Sequence, residues 1–386
     1  MQWVIKTTKL CNLRCKYCYE WDHLADPTRM SFDVWRHALV AIREYTELTA
    51  ERCGYQIPVD VIWHGGEPTL LPRAYFERVV ELQREVFPND WIEQRRVRNC
   101  LQTNLYAIRD DQIDVFEEYD FELGISVDFC SGVRVTAGGR PTEQAVRRNM
   151  RRLRERGVPF SIISVLAGHT VPQIEQVFAE VTEWNTPVRL LPLFGGPAAR
   201  PMEGVAIDQG DILAAMMTFF DLWMDAGMTP RVDPLESCIR TVVLRRMNLI
   251  RPVQDRALLG NDVLVIDRDG TLSCDAYREQ GVLGNLTKTP ITEIIDGPAY
   301  RHLIDEETQL KATICGACAF RGPCDTNPIA RNFDSHVVQD CPTEKYLLPM
   351  IEERLEARGY FDDEFAATAR AMTEAFVFDV YEAAVA

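Results

Sequence analysis

The 386-residue chain has no apolar run approaching the length of a membrane span, and its N-terminus lacks the basic region, apolar stretch and cleavage site of a secretory signal. Membrane insertion and export are therefore not expected, and the chain is assigned to the cytoplasm. Positive charge is also scarce. Lys and Arg number 42 against 58 Asp and Glu, a formal charge of −16, which argues against nucleic acid, whose phosphates are gripped by basic side chains. No repeat of solenoid length and no low-complexity tract is evident. Cysteine, by contrast, is plentiful. Twelve thiols in a reducing compartment point to metal rather than disulfides, and seven of them fall into two groups. Cys53, Cys100 and Cys130 lie outside both groups.

The first group is Cys11-Asn-Leu-Arg-Cys15-Lys-Tyr17-Cys18. An iron–sulfur cube normally takes four thiolates, so three with no fourth nearby leave one iron open to a substrate or cofactor. The triplet follows an apolar, β-rich stretch, Trp3–Thr8, which places it at the carboxyl end of a first strand, where barrel active sites lie. A zinc knuckle would want a fourth Cys or His close by. A disulfide framework does not suit a large acidic chain without a secretory signal.

That spacing, with an aromatic residue before the third cysteine, resembles the signature of the radical SAM superfamily. Trp63-His64-Gly65-Gly66-Glu67-Pro68, after the strand-like Val59–Ile62, resembles the family's glycine-rich turn following the second strand. Glycines there are expected to let backbone groups approach a ligand with no Cβ in the way. Leu123-Gly124-Ile125-Ser126-Val127-Asp128 resembles the family's fourth-strand segment.

Short β-rich runs alternate with longer amphipathic stretches up to about residue 230, the pattern of repeated βα units around a parallel sheet. Strands are expected at Trp3–Thr8, Asp60–Trp63, Arg98–Gln102, Glu122–Val127, Pro159–Leu166 and Val188–Pro192. Helices are expected at Ser31–Leu48, with Ser31 as N-cap, and at Arg73–Val86, Glu143–Arg156, Val171–Thr182 and Asp211–Ala226. Gly195–Gly204 reads as a loop. The fold class is α/β: an open, partial (β/α)6 TIM-type barrel over 1–230, a small α+β auxiliary-cluster domain over 231–343 and terminal helices over 344–386. Those helices, Lys345–Arg358 and Asp362–Ala384, are expected to pack on the domain before them.

The second group is Cys315-Gly-Ala-Cys318, then Cys324 and Cys341, enough to close a cube. Zinc suits four cysteines equally well on ligand softness. Upstream, Asp269–Asp275 and Leu283–Leu286 resemble the hairpin and turn that open the SPASM or Twitch extension of radical SAM enzymes, as in anaerobic sulfatase maturases and peptide maturases. The company of a radical SAM triplet favours iron. The chain departs from the full seven-cysteine SPASM pattern, since Pro328 stands where the family has a cysteine, and only Cys274, with distant Cys238, is left for a further site. One auxiliary [4Fe-4S] cluster is expected, the complete second being the alternative.

The resemblance implies that Cys11, Cys15 and Cys18 hold a [4Fe-4S] cluster chelated by S-adenosyl-L-methionine. It also implies that Gly65, Gly66 and Glu67 meet the methionyl amine, that Ser126 meets the carboxylate and that Tyr17 lies by the adenine. Asn104 matches a family strand end. Arg134 resembles a family arginine near SAM, with a surface role as the alternative. Asp275 follows Cys274 where sulfatase maturases carry a catalytic aspartate, against the plain reading of an exposed hairpin carboxylate. The implied activity is an oxidoreductase that abstracts hydrogen from substrate carbon, oxidising, crosslinking or epimerising a ribosomally made peptide. An external electron donor of the flavodoxin or ferredoxin type is implied as a partner. No N-terminal leader-binding domain is read, so a separate leader-binding protein is a further expected partner. A dehydrogenase or epimerase of aminocyclitol or sugar substrates is the alternative, and an iron–sulfur electron carrier a remote one.

Overall fold

The structure is a computed structural model that describes residues 1–54, 56–193, 205, 207–248, 263–274, 281–324, 341, 343–362 and 367. Asp275, Pro328, most of the 194–206 loop and most of the second terminal helix lie outside the described residues.

Six strands, β1 (Gln2–Thr8), β2 (Val59–Gly65), β3 (Val97–Thr103), β4 (Glu122–Ser126), β5 (Phe160–Leu166) and β6 (Val188–Pro192), pair in parallel in that order. Between them run α1 (Phe32–Cys53), α2 (Arg73–Val86), the short α3 (Asn89–Glu93), α4 (Asp110–Glu118), α5 (Glu143–Glu155) and α6 (Ile174–Trp184). Ser31 caps α1, its hydroxyl accepting from the Val34 amide at 3.2 Å, and Gly54 closes the helix in the left-handed region.

The period of two along each strand divides the sheet into two faces. Trp3, Ile5, Val59, Val61, Trp63, Leu101, Leu123, Ile125, Ile162 and Leu190 are buried against the helices. At the centre Trp63 packs between Trp35 of α1 and Phe76 of α2, with ring centroids 4.8 and 5.0 Å away. Burying each such side chain contributes about 1.5–3 kcal/mol. Lys6, His64, Gln102 and Ser126 alternate with these core residues and occupy the concave face, and Lys6 and His64 are register partners.

The sheet extends beyond six strands at both edges. After α7 (Gln209–Asp225), the two-residue β7 (Val232–Asp233) adds a seventh parallel strand to β6 and leads into α8 (Leu235–Arg246). At the other edge β8 (Val263–Ile266) pairs in parallel with β1, and β9 (Thr271–Ser273) and β10 (Val282–Asn285) follow as antiparallel neighbours. The auxiliary hairpin therefore continues the barrel sheet, in the order β10-β9-β8-β1-β2-β3-β4-β5-β6-β7. The two end strands do not pair, so the barrel is open.

Helices α9 (Ile291–Ile295) and α10 (Pro298–Ile314) lead to the second cysteine group. Helix α11 (Glu344–Ala357) buries Leu347, Leu348, Ile351 and Leu355 against α7 and α8, as expected of the first terminal helix. Among the described residues no helix is long and apolar enough to cross a membrane.

Candidate active site

The three cysteines sit on the loop leaving the carboxyl end of β1. Its backbone is tied down on one side by the segment after β4: the Arg14 amide donates to the Val135 carbonyl at 2.7 Å and the Lys16 amide to that of Val133 at 3.1 Å. Buried Leu13 bridges Thr136 at the same place.

On the other side the loop meets the glycine turn after β2. The Gly66 amide donates to the Thr8 carbonyl at 2.7 Å and the Glu67 amide to that of Leu10 at 2.8 Å. A Cβ on Gly65 would collide with the Thr8 carbonyl oxygen, and one on Gly66 with those of Lys9 and Leu10. Gly65 also has φ +115°, in the left-handed region. The glycines are thus required by the backbone of the cysteine loop itself, and not only by the approach of a ligand.

Glu67 is fully buried and turned away from that loop. One carboxylate oxygen accepts from the Thr69 amide (3.0 Å), the Thr69 hydroxyl (2.6 Å) and the Thr103 hydroxyl (2.7 Å); the other accepts from the Asn104 amide (2.7 Å). Burial pushes its carboxyl up, against these donors. Its side chain is spent on joining the ends of β2 and β3, which leaves main-chain atoms of Gly65–Glu67 as the groups able to meet a ligand there. Asn104, fixed by Glu67, reaches the loop with its side-chain amide, 2.9 Å from Asn12 Oδ1 and 3.6 Å from Cys11 Sγ.

The Cys11 sulfur also receives the Leu13 amide at 3.4 Å, and the Cys15 sulfur the Arg134 guanidinium at 3.9 Å. Burial raises Cys11 to about 12 and Cys18 to about 11, each pushed further by charge on neighbouring thiols. Burial raises Cys15 as well, opposed by Arg134. Three neighbouring, part-buried sulfurs, two of them already supplied with N–H donors, suit thiolates bound to a cationic iron centre, whose sulfurs such bonds support. The donor set fits a cluster of this kind.

Asp128 is the hub of the far side. Its carboxylate accepts the Tyr17 hydroxyl at 2.5 Å, Arg134 Nε at 2.9 Å and the Val165 amide at 2.9 Å, with His169 Nε2 at 3.6 Å. Burial alone would push the carboxyl up, yet Arg134, His169, Tyr17 and the Val165 amide hold it well below the usual carboxylate range. Tyr17 stacks on His169 with centroids 5.6 Å apart, and Arg134 lies 5.3 Å over the Tyr17 ring. Arg134 thus lies largely covered beside the cysteine loop, its side chain 11% exposed.

Ser126 accepts from Gln102 Nε2 at 2.6 Å, and Gln102 crosses β4 where Gly124 has no side chain to obstruct it. His64 Nδ1 accepts from the Gly65 amide at 2.7 Å, and burial together with nearby Lys6 lowers the ring to about 4, opposed by Glu20. It is a neutral turn histidine. Sequence reasoning missed Asn12, Gln102, Thr103, His169 and the hub role of Asp128. It also missed a buried Lys6–Glu20 pair at 2.6 Å, which continues through Lys9 to Asp267 at 3.2 Å, in the β8–β9 turn.

In the auxiliary region Cys274 directly follows β9, half-buried against the core. Cys315 follows α10, the Cys318 amide donates back to the Cys315 carbonyl at 3.1 Å, and the Cys324 amide donates to that of Phe320 at 3.0 Å. Cys341 returns beside Cys324: burial raises it to about 11, with Glu344 (3.7 Å away) and Cys324 adding negative charge. Cys238 is buried in α8.

A model of the Radical SAM superfamily matches residues 5–181, and one of the SPASM iron–sulfur cluster-binding domain matches residues 259–319. The serine-type anaerobic sulfatase-maturating enzyme of Bacteroides thetaiotaomicron is 26% identical over 163 residues, 41% of this chain and 37% of that relative. The match thus spans well under half of that enzyme. The cysteine-type enzyme of Clostridium novyi is 22% identical over 324 residues, 76% of this chain and 79% of the relative. Native anSMEcpe, solved with bound AdoMet and the Cp18Cys peptide, superposes with TM-score 0.71 at 17% identity over 96% of this chain and 99% of that one. Streptococcus suis SuiB bound to its precursor peptide SuiA gives 0.58 at 13% identity, covering 84% and 70%. The chain carries a Radical SAM domain and a SPASM iron–sulfur cluster-binding domain, and these two domains imply 4Fe-4S clusters and S-adenosyl-L-methionine as cofactors.

Proposed function

We propose that the protein abstracts hydrogen from a carbon of a ribosomally made peptide, oxidising, crosslinking or epimerising it. The observation that carries this reading is the three-cysteine loop at a strand end, with N–H donors on two of its sulfurs and a concave, open-sided barrel beside it. An open side suits a chain-like substrate. Relatives named for sulfatase maturation and neighbours solved with peptides support a polypeptide substrate over a small metabolite.

The cluster and SAM, when bound, supply a 5′-deoxyadenosyl radical, and that chemistry is the cofactor's. Cys11, Cys15 and Cys18 would hold the cluster, and Ser126, oriented by Gln102, would offer its hydroxyl proton to the methionyl carboxylate. Main-chain atoms of Gly65–Glu67 would receive the amine. Tyr17, fixed by Asp128, would border the adenine. Cys315, Cys318, Cys324 and Cys341 would hold one auxiliary cluster, with Asp275 taking a proton after hydrogen abstraction. An external low-potential donor would supply the electron, within the domain division 1–230, 231–343 and 344–386.

The test is isotope transfer. Perdeuterated peptides encoded by short reading frames beside this gene are incubated with the reconstituted protein, SAM and dithionite, and the 5′-deoxyadenosine is weighed by mass spectrometry. Deuterium in that product, with a mass change in the peptide, is expected. Transfer from deuterated aminocyclitols and from none of the peptides would overturn the reading.

A further inference from the structure

Among the described residues one strip reverses the sign of this acidic chain. Between Val133 and Gly157 eight arginines stand against two glutamates. Five are engaged: Arg134 with Asp128, Arg147 with Glu180, Arg152 with Asp110, Arg156 with Asp114 and Glu117, and Arg154 with the Trp184 carbonyl and ring. Arg140, Arg148 and Arg151 are exposed with no carboxylate in ion-pair reach among the described residues. Arg148 and Arg151 are three apart and share the solvent face of α5, whose other face buries Val146, Met150 and Leu153.

This strip is also the wall of the cysteine loop. Its first residues carry the backbone bonds to Arg14 and Lys16, and Arg134 reaches the Cys15 sulfur. Lys16, between the second and third cysteines, is exposed beside it. Exposed positive charge is thus carried by the segment that walls the cysteine loop and by the loop itself. The acidic remainder would repel an acidic partner, so the field steers such a partner here.

We propose that Arg140, Arg148 and Arg151, with Lys16, form the docking surface for an acidic one-electron donor protein that reduces the cluster. The inference rests on the radical SAM reading and gives its electron a route. The donor is oxidised by one electron and the cluster reduced by one, with no bond made or broken at this surface. Nucleic acid is disfavoured as the occupant by the net charge of −16.

The probe is a reduced bacterial flavodoxin and the protein is the anaerobically loaded full chain. Complex formation is followed by flavin fluorescence, and 5′-deoxyadenosine is measured with flavodoxin or dithionite as reductant. In Arg140→Glu/Arg148→Glu/Arg151→Glu the flavodoxin Kd should weaken about tenfold or more at low salt, with the gap closing at about 1 M salt. Flavodoxin-driven product should fall in step while dithionite-driven product stays at the parent level. The Arg→Gln triple variant should lie between, which separates charge from misfolding. Equal Kd and equal flavodoxin-driven rates in parent and both variants would overturn the proposal, as would an anionic oligonucleotide out-competing flavodoxin at this surface. Absence of dithionite-driven product in the parent would instead refute the radical SAM reading, leaving the binding result to judge the surface.

Discussion

Tyr17 and Asp128 lie 111 positions apart in sequence and are joined by a 2.5 Å hydrogen bond that holds the cysteine loop against the end of β4. The same carboxylate balances Arg134, which in turn faces Cys15. Asp128→Asn should leave that buried guanidinium without its charge partner and cost about 3–5 kcal/mol, read as a lower urea midpoint and reduced iron retention. Because the folded carboxyl titrates below its unfolded value of about 3.9, the stability it confers is present above that pH and is lost only as the pH falls further. An unchanged midpoint at neutral pH would remove Asp128 as the hub.

His64 gives a different pH window. Folded at about 4 and unfolded at about 6.5, it remains neutral in the native state while the unfolded chain takes up a proton. Its contribution is complete above pH 6.5 and declines as the pH falls toward 4. Between pH 7 and 5 the parent should lose about 2 kcal/mol through this residue, and His64→Gln should lose less by that amount in paired urea titrations. Identical slopes in the two proteins would show that His64 is protonated without penalty.

Gly66→Ala tests the fit between the glycine turn and the cysteine loop. The new methyl must displace the Lys9 and Leu10 carbonyls, main-chain atoms that cannot rotate away. A loss of about 1–3 kcal/mol is expected from overpacking, with iron loading falling because the loop beside Cys11 moves. Full loading and parent stability would mean that the loop tolerates the shift.

Much of this site was legible in the sequence, for physical reasons. The six strands were read to within a residue or two because each carries a buried outer face, as in Trp3 and Ile5 or Val59, Val61 and Trp63. The triplet and the glycine turn were visible as spacing. What stayed hidden is pairing at a distance: nothing local in Asp128 announces Tyr17, and Lys6 inside an apolar strand gives no sign of Glu20. The glycines were found for a partly different reason, since their closest neighbours are main-chain atoms of the loop. The continuation of the sheet by β8 at the β1 edge was unreadable too, because register between segments about 260 residues apart is set by packing.

The terminal helix α11 is structural on this account. Leu347, Leu348, Ile351 and Leu355 are each no more than 2% exposed, whereas its ion pairs, such as Arg358 to Asp225 at 2.6 Å, are exposed and worth little. Ile351→Ala should cost about 2–5 kcal/mol, and a chain ending at residue 342 should be recovered as aggregate. A soluble truncated protein with the parent unfolding midpoint would show that the helix is not part of the core.

The most direct test of the central claim is the production of 5′-deoxyadenosine by the anaerobically reconstituted protein with SAM and dithionite. The parent should form it together with methionine, and the Cys11→Ala/Cys15→Ala/Cys18→Ala variant should form none. Equal rates in parent and variant would contradict the assignment of the open cluster to these three cysteines.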